Sequence, residues 1–193
     1  MATIRQNLDI EQFEGFREFL KENPEKVRLD LEVRADYEGQ AGRSLVHIGK
    51  FAMDGEVVDR STRHYTLPFG AWREVEETVG QQGPTDRLEP VEVALAACAA
   101  CLNNSISYNA ARLGIDTAGI ETTIRQQVDP RVLLAVKGPE DHGSCMGDIE
   151  VDIKVTGDVS EEDIATISDV ARHSPVYGLI TGANTVNHRV AKA

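Results

Sequence analysis

One stretch constrains this chain more than any other, the run from Pro90 to Leu113. It carries Val91, Val93, Ala94, Leu95, Ala96, Ala97, Cys98, Ala99, Ala100, Cys101 and Leu102, followed by Ile106 and Tyr108. Proline suits the first helical position, where its missing N–H would be unpaired anyway, and Gly114 suits the residue just past the end. The bracketing predicts a helix of about six turns. The first half is small and apolar on every side, which predicts a central helix buried all round.

The rest of the chain must surround that helix. At 193 residues it is long enough to build a core without disulfides or a structural metal. Its 32 acidic and 20 basic side chains leave a formal net charge of −12, a field that repels nucleic acid and anionic lipid alike. Neither nucleic acid nor membrane is therefore an expected partner. No apolar run reaches the roughly 18 residues of a membrane span, and residues 1–9 lack the apolar centre of an export signal. The expectation is a cytoplasmic protein whose three cysteines, an odd number, are reduced thiols.

Leu8, Ile10, Phe13, Phe16, Phe19 and Leu20 recur at spacings of three and four, so residues 8–23 read as an amphipathic helix packing one face on the body. Asn23-Pro24 ends it. Val27, Leu29, Leu31, Val33 and Ala35 alternate with polar residues, the period of a half-buried strand. A turn at 38–42, a strand at 44–51, a hairpin signal at Asp54-Gly55 and a strand within 56–67 complete a meander. Residues 68–89 read as a long loop with a short helix near Trp72 to Thr78. Beyond the central helix, strands are expected at 119–128 and 149–155, with a further short one at 132–136. Ser160 and Asp163 read as the capping box of a helix ending near His173. Residues 179–190 read as a loop and a final strand. Helices that do not regularly follow strands make this an α+β chain.

Cys98-Ala99-Ala100-Cys101 is a C-x-x-C motif, but it lies two to three turns inside an apolar helix. Redox pairs of this kind use an exposed helix N-terminus to acidify the thiol. Buried cysteine as a small hydrophobe is the plain alternative. Asp141, His142 and Cys145 share one loop, too few ligands for a zinc site, and no metal or other cofactor is expected. Phosphate-loop and serine-elbow motifs are absent.

The segment from Pro90 to Leu102 resembles the central-helix motif of the OsmC/Ohr family, in which a proline opens an alanine-rich helix carrying the reactive cysteine. Ala171-Arg172-His173-Ser174-Pro175-Val176-Tyr177 resembles that family's C-terminal motif, and residues 108–115 are similar to one branch of it. The resemblance covers residues 26–190. It implies a single OsmC-like domain over 26–193, with residues 1–25 as an N-terminal helical extension. The fold implied is α+β, with antiparallel sheets around a long central helix, in an intertwined homodimer.

The activity implied is that of a thiol peroxidase in oxidative-stress defence. A thiolate attacks an organic hydroperoxide, becomes a sulfenic acid, and condenses with a second cysteine. An arginine activates the thiol, a glutamate orients the arginine, and a dithiol resets the enzyme. The reactive cysteine falls on Cys101, eleven residues after Pro90. The second cysteine's position falls on Ser174, which cannot form a disulfide. The glutamate's position is Val91, with Glu92 one step later and so turned by about 100°. Arg43 is the best-placed arginine and Arg34 the alternative. Cys98, Cys145 or an external thiol could replace the missing resolving thiol. Three functions follow: a peroxide reductase using Cys101, a noncatalytic small-ligand-binding relative, or a structural domain.

Overall fold

The computed structural model describes residues 2–182 and 184–192. The chain divides into two compact units, Glu11–Ala94 and Leu95–Ala193, the latter joined by Met1–Ile10.

In the Glu11–Ala94 unit the organising element is a strand. The short strands β1 (Ile4–Arg5) and β2 (Leu8–Asp9) belong to the other unit; here α1 (Ile10–Glu22) leads to β3 (Leu29–Tyr37) and β4 (Ser44–Met53). β4 pairs along one edge with β3, from Tyr37 opposite Ser44 to Leu29 opposite Met53. Its other edge is shared by β5 (Glu56–Val58), opposite residues 51–53, and β6 (Tyr65–Phe69), opposite residues 44–48. β5 and β6 thus act as one interrupted strand, and a 3-10 turn at Ser61–Arg63 loops out between them. The hairpin at Asp54-Gly55 has φ of 52° and 82°, the left-handed pair that a two-residue turn between twisted strands requires.

Two expectations about burial fail in this unit. No residue of α1 is fully buried; Phe13 and Leu20 are only half-covered, and Phe16 stacks on Phe19 with centroids 6.3 Å apart. Every residue of β3 is exposed: the strand pairs with β4 alone, and no described residue packs over either of its faces enough to bury a side chain. Period-two alternation records which side chains share a face, not whether anything covers that face.

α2 (Arg73–Thr78) follows, then α3 (Pro90–Leu113), which runs on into the second unit. There β7 (Asp116–Arg125) and β8 (Glu150–Asp158) pair antiparallel along their whole length. α4 (His142–Cys145) lies between them in sequence, and α5 (Glu161–Ala171) and α6 (Pro175–Thr181) follow. The core is the seam Cys98, Leu102, Ile106 and Ala110 of α3 against Ile167 and Ala171 of α5. A spacing of four keeps these α3 residues on one face. Ile120 and Ile124 of β7 and Ile153 and Val155 of β8 pack against them.

The fully buried first half expected of α3 is not what the chain builds. Glu92, Ala94, Ala96, Ala97 and Ala100 are exposed, and the buried seam starts only at Cys98. Residues 132–136 form no strand: a run of turns occupies 131–135, Ala135 has φ of 55°, and Leu133 is 85% exposed. Among the described residues the tail holds no final strand either. It begins with α6, which Ser174 caps by accepting from the Tyr177 N–H at 3.2 Å while Pro175 occupies the first turn. That pair is a helix start signal in its own right.

Candidate functional site

The thiols belong to α3 and α4. Cys98 and Cys145 are buried, Cys101 is half-exposed, and all three are free. The difference between Cys98 and Cys101 follows from helix geometry. Three residues turn the helix by about 300°, so the two lie on adjacent faces and only Cys98 falls on the core seam. Burial pushes the Cys98 thiol up, with the neighbouring Cys101 adding to the shift. An unionised thiol is a poor nucleophile, so Cys98 reads as part of the core.

Polar side chains hold the turn that carries Cys101. Thr122 of β7 donates to Asn103 Oδ1 at 2.6 Å, and Ser105 donates to the Val170 carbonyl of α5 at 2.7 Å. Asn103-Asn104-Ser105 thus interrupts an apolar helix to lock it to the elements on either side. Ser174 is 2% exposed, and its hydroxyl is committed to the α6 cap. A shallow cavity of about 260 Å³ lies along the same helix, lined by Gln6, Asn103, Asn104, Ser107 and Thr117, among others; Cys101 does not line it.

The Glu11–Ala94 unit contains a guanidinium clamp. Arg43 follows the β3–β4 turn and is 6% exposed. Its Nη2 donates to Glu76 Oε2 at 2.8 Å and its Nε to Glu76 Oε1 at 3.3 Å, a two-pronged pair. Nη1 donates to Gln40 Oε1 at 2.6 Å, and Nη2 also reaches the Gly83 carbonyl at 2.8 Å. Glu76, 1% exposed, further accepts from the Thr85 N–H at 2.6 Å. The Arg43 hydrogen bonds, then the Thr85 N–H, hold the Glu76 carboxyl below its ordinary range, and Glu76 in turn raises Arg43. A second ion pair, Arg87 with Glu38, ties the same long loop to the same turn. The 68–89 loop is therefore an ordered cover, anchored at α2 and at residues 83–87.

Of the residues the sequence singled out, Cys98 and Cys101 share a helix and Arg43 is the centre of the clamp. Glu92 is exposed at the first turn of α3, where its N–H is capped by Glu89 Oε2 at 2.9 Å. Arg34 is exposed and pairs with Asp36. Glu76 is the residue the sequence did not disclose. Nothing in the sequence separates it from Glu74 and Glu77, the other two glutamates of the same short helix.

Among the described residues no helix is long and apolar enough to cross a membrane. No curated protein sequence matches the chain. Solved structures of the same α+β architecture do. An OsmC-like protein from Mycoplasma pneumoniae superposes with a TM-score of 0.53 at 14% identity, covering 79% of this chain and 88% of its own. A Psychrobacter arcticus protein named for the osmotic-stress and detoxification response gives 0.50 at 13% identity, covering 78% and 88%. An organic hydroperoxide resistance protein from Legionella pneumophila gives 0.48 at 18% identity, covering 79% and 89%. The family model for OsmC-like proteins matches residues 83–189, more than half of the sequence and the whole of α3. The chain belongs to the OsmC-like protein family.

Proposed function

We propose that this protein is a thiol-dependent organic hydroperoxide reductase acting through Cys101. The observation that carries the reading is that Cys101 is half-exposed on the helix of the family motif, while Cys98 and Cys145 are buried. The Cys101 thiolate attacks one peroxide oxygen. An S–O bond forms as the O–O bond breaks, and the departing alkoxide takes a proton to become an alcohol. Sulfur is oxidised by two electrons to the sulfenic acid and the peroxide is reduced. An external thiol then displaces water to form a mixed disulfide. A second thiol, or the other arm of a dithiol, releases Cys101 reduced.

Arg43 is the proposed activating cation. Glu76 is its proposed anchor, in place of the glutamate that would follow Pro90, where Val91 stands. Glu92 and Cys98 are secondary candidates. In the same reading residues 26–193 make one OsmC-like domain, residues 1–25 extend it, and two chains intertwine as a cytoplasmic homodimer. The exposed small residues of the first half of α3 support the dimer, since they form an apolar surface that the single chain leaves uncovered.

The test is consumption of cumene hydroperoxide with dithiothreitol as reductant. Cys101→Ser should abolish it, and Cys98→Ser and Cys145→Ser should keep most of it. Equal consumption by Cys101→Ser would sink the assignment. A second reading, a small-ligand-binding relative without turnover, is favoured by Ser174, whose position carries no thiol. One equivalent of hydroperoxide separates the two. A gain of one oxygen on the Cys101 peptide supports the reductase, and an unchanged mass supports the binding protein.

A further inference from the structure

The N-terminal residues close against the second half of α3. A two-residue turn, Gln6-Asn7, joins β1 to β2, with Arg5 opposite Leu8. Its φ values, 48° and 63°, are both left-handed. Such a turn favours Asn and Gly, so Asn7 suits it and Gln6 is held there against its preference. Two side chains dock the turn. Arg5 Nη1 donates to the Ala111 and Arg112 carbonyls at 3.2 and 3.3 Å, at the negative end of α3. Gln6 Nε2 donates to Thr117 Oγ1 at 2.8 Å and to the Thr117 carbonyl at 3.3 Å.

The docked turn is one wall of the cavity of about 260 Å³. α3 supplies Asn103, Asn104 and Ser107, and the start of β7 supplies Thr117 and Ala118. All three segments lie in one unit. The β7–β8 register skips Ala118, a bulge with no residue opposite it. Left-handed non-glycine backbone and strand bulges both gather at binding sites. On the helix, Asn103 is bonded to Thr122 and Ser105 to the Val170 carbonyl, so packing of the unit accounts for both. It does not account for Asn104, a poor helix former that is exposed and whose amide bonds to no described residue. Among the described residues no charged and no aromatic side chain lines the cavity.

We propose that this cavity binds a small uncharged polyhydroxy compound, a single sugar ring or polyol. Amides and hydroxyls each offer donors and acceptors, and so does every hydroxyl of such a ligand. A charged ligand would lose its hydration there without gaining a counter-charge. An apolar one would leave the lining amides unpaired. The volume lies just below the ~300 Å³ at which small-molecule sites begin, which suits one ring and not a chain of them. The site is separate from the proposed reductase chemistry, because Cys101 does not line it.

The experiment is a titration of the full-length protein with glucose, galactose, mannose, ribose and glycerol, followed through the side-chain amide resonances of Gln and Asn. Sodium acetate and cyclohexanol are the charged and the mainly apolar controls. At least one polyhydroxy probe is expected to give saturable shifts of Gln6, Asn103 and Asn104, with Gln82 and Gln126 unmoved. Asn104→Leu, at an exposed position, should weaken that binding about tenfold, the effect of removing a hydrogen-bonding partner. The proposal is overturned if none of the five probes gives a saturable shift, if acetate or cyclohexanol moves the same amides equally, if Gln82 and Gln126 move with them, or if folded Asn104→Leu binds as the wild type does. The wild-type titration decides the matter even if the variant folds poorly.

Discussion

Ser174 and Glu76 illustrate how much one side chain's surroundings decide. The Ser174 hydroxyl is buried and caps α6, so a cysteine there would lose most of the cap, because sulfur is a weak acceptor. Ser174→Cys is expected to lower stability by about 1 kcal/mol in urea denaturation. On the proposed reductase reading it should also slow the over-oxidation of Cys101, measured as sulfinic acid by mass spectrometry after excess hydroperoxide. Glu76 sits with Arg43 in a buried pair, so Glu76→Gln leaves a buried cation without its counter-charge. The melting temperature should fall by roughly 6–20 °C. The sign of the pH dependence follows from the depressed carboxyl. Its contribution is present above the unfolded carboxylate pKa of about 4.3 and is lost as pH falls through the folded value. Acid titration of the melting temperature should therefore be flatter in Glu76→Gln than in the wild type.

At the scale of elements, start signals and seams govern stability. The Ser160 hydroxyl accepts from the Asp163 N–H at 3.2 Å and the Asp163 carboxylate accepts from the Ser160 N–H at 2.9 Å, the reciprocal box that the sequence predicted. Ser160→Ala should cost about 1 kcal/mol in urea denaturation, with the far-UV spectrum otherwise native. Ile106 has no exposed surface and lies in the middle of the α3 seam. Ile106→Ala should cost about 2–5 kcal/mol by the same measurement, the range for a cavity in a packed core. Where local chemistry fixes an element, at α3, at α5 and at the Asp54-Gly55 hairpin, residue patterns were enough to find it. Residues 132–136 misled because Val-Leu-Leu-Ala-Val has strand composition, yet a strand also needs a neighbour to pair with, and among the described residues none pairs there. α6 is absent from the sequence reading because its seven residues are too few for a helical period to show, although Ser174-Pro175 is a start signal.

For the whole molecule the uncovered surfaces matter most. Ala96, Ala97 and Ala100 of α3 are exposed in the single chain, as are Leu29, Leu31 and Val33 of β3. If the proposed homodimer covers the α3 surface, sedimentation at micromolar protein should give twice the mass of one chain. Ala97→Glu, which adds a charge to that surface without touching the core, should shift the equilibrium toward monomer. A single-chain mass for the wild type would remove the dimer.

The residues alone determined the family motif, the bounds of the central helix, the capping box and the presence of strands near β7 and β8, though not their pairing. Each of these rests on interactions within a few residues or on a short periodic pattern. Only the tertiary structure decided which half of α3 is buried, that Cys98 lies in the core while Cys101 does not, and that Arg43 is held by Glu76 and not by Glu92. Those outcomes depend on which groups meet after the chain has closed on itself. Residues 43 and 76 are 33 positions apart, and nothing local to either one selects its partner. Burial of both charges makes each need the other, and that need arises only in the folded chain.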